Sequence, residues 1–93
     1  MSKTVYKYPI PVEGEFELGL PQGARVLSVQ VQAGMVCLWA LVDPKAPLAP
    51  RRFRLAGTGH PIENAESLSF VDTFQLHGGA LVFHVFEYVE EGQ

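Results

Sequence analysis

A single cysteine, Cys37, stands in a chain of 93 residues. One thiol cannot close an internal disulfide and falls far short of a metal framework, so packing alone must hold the chain together, as in a reducing compartment. No run approaches the roughly 18 uninterrupted apolar residues that a membrane-spanning helix needs, and no membrane partner is expected. The opening MSKTVYKYP lacks a basic segment leading into a long apolar run and a small-residue cleavage site, which makes the cytoplasm the expected location. Basic residues are scarce as well: 7 Lys and Arg against 10 Asp and Glu leave a formal charge of -3, the wrong sign for a general nucleic-acid binder. Internal repeats and low-complexity segments are absent too.

Apolar and aromatic residues are plentiful, 47% and 11% of the chain, which is enough for a packed core and too much for a disordered tail. The length suits a single β-rich domain over residues 1–93. A domain this small buries only about 60 to 65% of the surface its unfolded chain exposes. Burial against further copies would widen that margin, so a homo-oligomer is expected.

The periodicity is that of β-structure. In RVLSVQVQ, Arg25 to Gln32, apolar Leu27, Val29 and Val31 alternate with Ser28, Gln30 and Gln32, a strand with one wet face. Ala33-Gly34 then turns into MVCLWALV, Met35 to Val42, which is apolar at every position and therefore expected to be covered on both faces. Upstream, VYKYPIPV carries Pro9 and Pro11, which lack ladder donors and put a first strand at a sheet edge or end. EFELGL alternates Phe16, Leu18 and Leu20 with Glu15, Glu17 and Gly19, and Pro21-Gln22-Gly23 closes it. DPKAPLAP, Asp43 to Pro50, has three prolines in eight residues and reads as a loop.

Near the C-terminus, FVDTFQL and ALVFHVFEYV flank Gly78-Gly79. A tight turn there sets Leu76 against Leu81, Gln75 against Val82, Phe74 against Phe83 and Thr73 against His84. Phe74, Leu76, Leu81, Phe83 and Val85 then make a core face, while Thr73, Gln75, Val82, His84, Phe86 and Tyr88 make a mixed polar and aromatic one. PIENAESLS leaves room for one helical turn. The fold class is all-β: a small antiparallel β-sandwich or a partly open barrel of about six or seven strands.

Three arginines break the acidic balance at RRFRLAGTGHPI, Arg51 to Ile62. On a strand Arg52 and Arg54 share one face while Phe53 and Leu55 anchor the other, so two planar guanidiniums stand side by side, as phosphate or carboxylate recognition requires. Positive residues also guard a strand at a sheet edge, and the acidic stretches Glu13 to Glu17 and Glu87 to Glu91 are available to neutralise them. The Gly-Thr-Gly-His turn offers successive N–H groups, with Thr58 and His60 as side-chain donors, but it lacks the spacing of a P-loop or dinucleotide fingerprint. Trp39 is either core or a stacking wall for a ring. Arg52, Arg54, Thr58, His60 and Trp39 form the candidate ligand-binding set. Gln75, Val82, His84 and Phe86, on the mixed face of the C-terminal hairpin, form a candidate partner-binding set.

Chemistry beyond binding has little to stand on. His60, His77 and His84 have no cysteine or carboxylate at ligand-like spacing, so no metal is expected. Cys37 sits in the most apolar strand and no nucleophile elbow occurs, so no catalytic residue and no cofactor are assigned. Asp43 and Asp72 read as a turn cap and a strand end.

VYKYPIP, LSVQVQ, LWALVDP, RRFRLAGTGHPI and GGALVFHVFE, distributed from Tyr6 to Glu87, resemble a family of small single-domain proteins encoded by phages and prophages and classed as of unknown function. The resemblance implies a mobile-element origin and action in the host-cell cytoplasm, and it supplies no catalytic residues. Small phage proteins of this size include oligomeric sponges that sequester nucleotide immune signals and inhibitors that bind a host protein. By that analogy the chain is expected to be a non-enzymatic binding module, a counter-defence sponge for a phosphate-bearing nucleotide. The alternatives are an inhibitor or accessory factor docking on a host defence protein through the C-terminal hairpin, and a small phosphoesterase dependent on His60 or His84.

Overall fold

The alternating segments become seven antiparallel strands in the computed structural model, which describes residues 2–89. They are β1 (Thr4–Pro9), β2 (Glu15–Pro21), β3 (Arg25–Gln32), β4 (Met35–Val42), β5 (Leu48–Gly57), β6 (Leu68–Leu76) and β7 (Leu81–Tyr88). Single 3-10 turns at Ala65–Ser67 and His77–Gly79 precede and follow β6. The strands make one sheet in the order β1-β4-β3 and another in the order β2-β5-β7-β6, and they do not close into a barrel. Among the described residues, no helix is long and apolar enough to cross a membrane.

Both sheets contribute to one core. Val29, Leu38, Ala40 and Val42 come from the first; Leu20, Phe53, Leu55, Phe74 and Val85 come from the second. The fully buried side chains sit mainly on β4, β5 and β7, the strands with a neighbour on each side. Phe53 stacks on Phe16 of the adjoining strand with ring centroids 5.2 Å apart. Burying a ring such as Phe53 completely contributes on the order of 1.5–3 kcal/mol.

β4 takes its cover from two different sources. Val36, Leu38, Ala40 and Val42 face the core, while Cys37, Trp39 and Leu41 point outward, where no second layer lies. Their shelter comes from neighbouring strands: the Lys7 ammonium on β1 donates to Gln32 Oε1 on β3 at 2.8 Å, so its stem spans β4. Cys37 is buried, and Trp39 and Leu41 are half-buried.

Two bulges alter the expected alternation. In β3 the register slips between Val26 and Ser28, so Val26 pairs with Ala40 and turns inward. Leu27, expected on the core face with Val29, is instead 45% exposed. β6 slips in the same way between Phe70 and Asp72. The bulged stretches lie where β3 runs alongside β6, and there the Val29 N–H donates to Asp72 Oδ2 at 2.9 Å. The other oxygen, Oδ1, accepts the Thr73 N–H at 2.8 Å. Asp72 thus supplies an acceptor that the irregular edges do not provide for themselves.

The remaining turns follow their chemistry. Ala33 and Gly34 both take positive φ, 50° and 81°, as a two-residue turn matching the strand twist demands. The C-terminal hairpin has the expected register, Leu76 with Leu81 through Thr73 with His84, although its loop holds four residues, His77 to Ala80. Asp43 caps its turn by accepting the Lys45 N–H. DPKAPLAP is only partly a loop, because Leu48, Ala49 and Pro50 already pair with Pro21, Leu20 and Gly19. Pro50 is tolerated there because the Leu55 N–H bond to Gly14 O fixes which residues of β5 face β2. Pro50 therefore turns its nitrogen the other way, toward a stretch where the pairing with β7 has not begun.

Replacing Asp72 with alanine leaves the Val29 N–H without an acceptor at the seam between the sheets. We expect Asp72→Ala to cost about 1–3 kcal/mol in urea unfolding, with Asp43→Ala costing clearly less because its partner amide is at the surface. Equal losses for the two variants would contradict the role assigned to the seam.

Candidate functional site

β5 is an interior strand, flanked by edge strand β2 and by β7, so its arginines do not guard a sheet edge. Strand parity sorts its arginines. Arg51 shares the inward face of Phe53 and Leu55, where its Nε and Nη2 meet the Glu87 carboxylate and Nη1 donates to the Ala24 carbonyl at 2.7 Å. It serves as a half-buried brace at the rim of the core. Arg52 and Arg54 point outward together, as expected.

Cross-strand neighbours then give those two different fates. Glu17 stands opposite Arg52 and Glu15 opposite Arg54 on edge strand β2. The Arg52 guanidinium lies 4.3 Å from the centre of the Tyr88 ring, and its Nη2 is 3.6 Å from Glu15 Oε1. Tyr88 in turn donates its hydroxyl to Glu15 Oε2. That hydrogen bond, with the positive charges of Arg52 and Arg54 behind it, holds the Glu15 carboxyl below the usual carboxylate range. Arg54 makes no side-chain hydrogen bond or ion pair among the described residues. Glu90 and Glu91, named with the neutralising acids, lie outside the described residues.

One row crosses the whole sheet: Glu15, Arg54, Phe86 and Phe70 are successive cross-strand partners. Phe70 meets Phe86 edge-on, with centroids 5.8 Å apart, and is 60% exposed. Alternation counted back from Phe74 would put Phe70 inside, and the bulge at Val71 carries it out. No local sequence signal marks that bulge, so Phe70 escaped the candidate sets. In the next row Ala56, His84 and Thr73 align. His84 is held between two hydroxyls, with Nε2 2.7 Å from Thr58 Oγ1 and Nδ1 2.9 Å from Thr73 Oγ1. Val82 and Gln75 follow in register. The partner-binding residues Gln75, Val82, His84 and Phe86 therefore share one surface with Arg52, Arg54 and Thr58 of the ligand-binding set.

His60 lies in the turn after β5, on the side of Gly57 that shares strand parity with Phe53 and Leu55. Its ring packs against Gly57, where an added Cβ would come within 3.0 Å of Nδ1, so the missing side chain at 57 is what admits the imidazole. A cleft of about 270 Å³ opens here, lined by Glu13, Arg54, Gly57, His60, Pro61 and Phe83 among others. The turn spends two of its amides internally: the Thr58 N–H donates to Val82 O and the His60 N–H to Gly57 O. Trp39 is not brought to this site. It belongs to the other sheet, on the side opposite core residues Leu38 and Ala40. Among the described residues, no group of three or more His, Cys, Asp and Glu is placed to hold a metal.

The chain belongs to the family described as Domain of unknown function (DUF7352), which matches it over residues 1–93. No curated protein and no solved structure matches it.

Because Glu15 titrates below its unfolded-state value, its contribution is present above the unfolded pKa and is lost as pH falls through the folded one. Tyr88→Phe removes the largest cause of the shift. We expect the Glu15 midpoint, followed by carboxyl NMR, to move upward in that variant; an unchanged midpoint would assign the shift to the arginines alone.

Proposed function

We propose that the chain is a non-enzymatic binding module that docks on a partner protein through the outer face of β5, β6 and β7. The observation that carries this reading is Phe70, a largely exposed ring set edge-on to Phe86 in the same row as Arg54. Aromatic rings and arginine are the side chains that most often anchor protein interfaces, because they bury much area while losing little conformational freedom. Arg52, stacked on Tyr88 and held by Glu15, adds a preorganised charge beside them. His84 is a rigid brace under this surface, since both ring nitrogens are taken by threonine hydroxyls. Gln75, Thr73 and Glu17 supply a polar rim. A phage-encoded counter-defence factor acting on a host protein in the cytoplasm is a setting in which such a surface is useful.

A second reading, a phosphate-bearing nucleotide held in an oligomer, has one observation in its favour: Arg54 lines the cleft that His60 borders. At about 270 Å³ the cleft falls just below the usual range for a small-molecule site and suits a phosphate group better than a whole nucleotide. Glu13 on the same wall opposes an anion, and Trp39 would have to stack from a different copy.

Affinity capture from host-cell extract, followed by direct titration of the captured protein, tests the docking reading. We expect Phe70→Ser to weaken binding by about thirtyfold or more, as loss of an anchor worth about 2 kcal/mol or above would do. Unchanged affinity in that variant overturns the proposed face. Calorimetric titration with cyclic and linear nucleotides addresses the second reading, which requires binding that Arg54→Ala and His60→Ala abolish and Phe70→Ser leaves intact.

A further inference from the structure

Two open sheets have four edges, and three are protected. β3 and β6 lie against each other, with the Val29 amide held by Asp72 and a bulge in each strand. β2 carries Glu15 and Glu17 on adjacent outward positions, so pairing with its own copy sets like charges against each other. Among the described residues β1 has neither a bulge nor adjacent like charges, and its one outward proline, Pro9, stands at the end of the strand. Its lysine, Lys7, is drawn away from the edge across β4 to Gln32.

The register of β1 shows which backbone groups are unspent. Ile10 N–H donates to Val36 O, and the same pairing continues as Tyr8 with Leu38, Tyr6 with Ala40 and Thr4 with Val42. Those residues exchange their bonds with β4. Val5 and Lys7 therefore aim their N–H and C=O groups outward, and Pro9 ends the run with no donor. Tyr6 is on the core side, opposite fully buried Ala40, yet it is 41% exposed. The strand thus presents both open backbone groups and an uncovered ring.

We infer that β1 pairs antiparallel with β1 of a second copy of this chain, about a two-fold axis at Tyr6. This register sets Val5 opposite the second copy's Lys7, and each such pair exchanges both of its outward bonds. Centring on Lys7 instead would bring two lysines together and waste a bond on Pro9. Centring on Val5 would set Lys7 against Lys3. Only the Tyr6 centre sets no two lysines opposite each other and spends every outward group of Val5 and Lys7, moving the missing Pro9 donor out to Lys3 at the end of the pairing, and it brings the two exposed Tyr6 rings together. The result is a continuous sheet in the order β3-β4-β1-β1-β4-β3 that leaves both four-stranded sheets free to bind. The inference does not depend on what those faces bind.

Light scattering and sedimentation of the full chain across a concentration series should give a dimer mass. The Lys7 amide points away from β4, so Lys7→Pro removes dimer bonds while sparing the ladder within the chain; we expect self-association to weaken by about tenfold or more with β-sheet circular dichroism retained. Lys7→Ala, which keeps the amide, should remain dimeric. Tyr6 of the two copies form a non-hydrogen-bonded pair with Cα atoms about 4.5 Å apart, inside disulfide range, so Tyr6→Cys should cross-link on mild oxidation and Thr4→Cys should not. A one-chain mass at all concentrations, or a dimer indifferent to Lys7→Pro, overturns the inference. If Lys7→Pro does not fold, the cysteine pair decides: no preference for Tyr6→Cys over Thr4→Cys overturns it as well.

Discussion

The carboxylate of Asp72 settles how the two sheets meet. An edge strand brings amides that need acceptors, and at the meeting of β3 and β6 two irregular edges come together with their ladders out of step. Asp72 answers both sides at once, accepting from Val29 across the seam and from Thr73 on its own strand. The bulges beside it are part of the same arrangement. They let the strands follow each other around the core, and in doing so they reverse which residues face inward on the far side of each slip.

That reversal reaches the candidate site directly. With Asp72 in register on the core side, the bulge before it turns Phe70 out of the core and onto the open face, next to Phe86. On the other side of the seam the same device brings Val26 inward and sets Leu27 outside. An exposed phenylalanine in the row of Arg54 is therefore a consequence of how the sheets are joined. It is not an isolated surface accident.

The basic strand shows how position divides chemically similar residues. Arg51, Arg52 and Arg54 lie within four consecutive positions, yet one braces the core rim against Glu87, one stacks on Tyr88 and one meets Glu15 only through its charge. Alternation explains the first division. The second comes from β2 and β7: Tyr88 stands at the height of Arg52 and hydrogen-bonds Glu15, which reaches Arg52 diagonally from its place opposite Arg54, while Phe86 lies beside Arg54. The turn that follows is likewise spent on internal bonds, Thr58 on Val82 and His84, His60 on Gly57. A stretch that reads as an anion motif becomes, in three dimensions, one border of a broader aromatic and charged surface.

The all-β class, the central hairpin at Ala33-Gly34, the edge position of β1 and the register of the C-terminal hairpin were all legible along the chain. Each rests on short-range physics: period-two alternation, left-handed turn residues, and prolines that cannot donate. The face shared by Arg52 and Arg54, and the one shared by Gln75, Val82, His84 and Phe86, were legible for the same reason. What lay beyond the sequence was everything that depends on a strand distant in the chain: the interior place of β5, the merging of two candidate sets into one surface, and the separation of Trp39 from both. The bulges at Leu27 and Val71 belong with these, because the residues themselves fit an unbroken strand. The break is imposed by two edges that must satisfy each other's amides, and that demand exists only once the sheets have met.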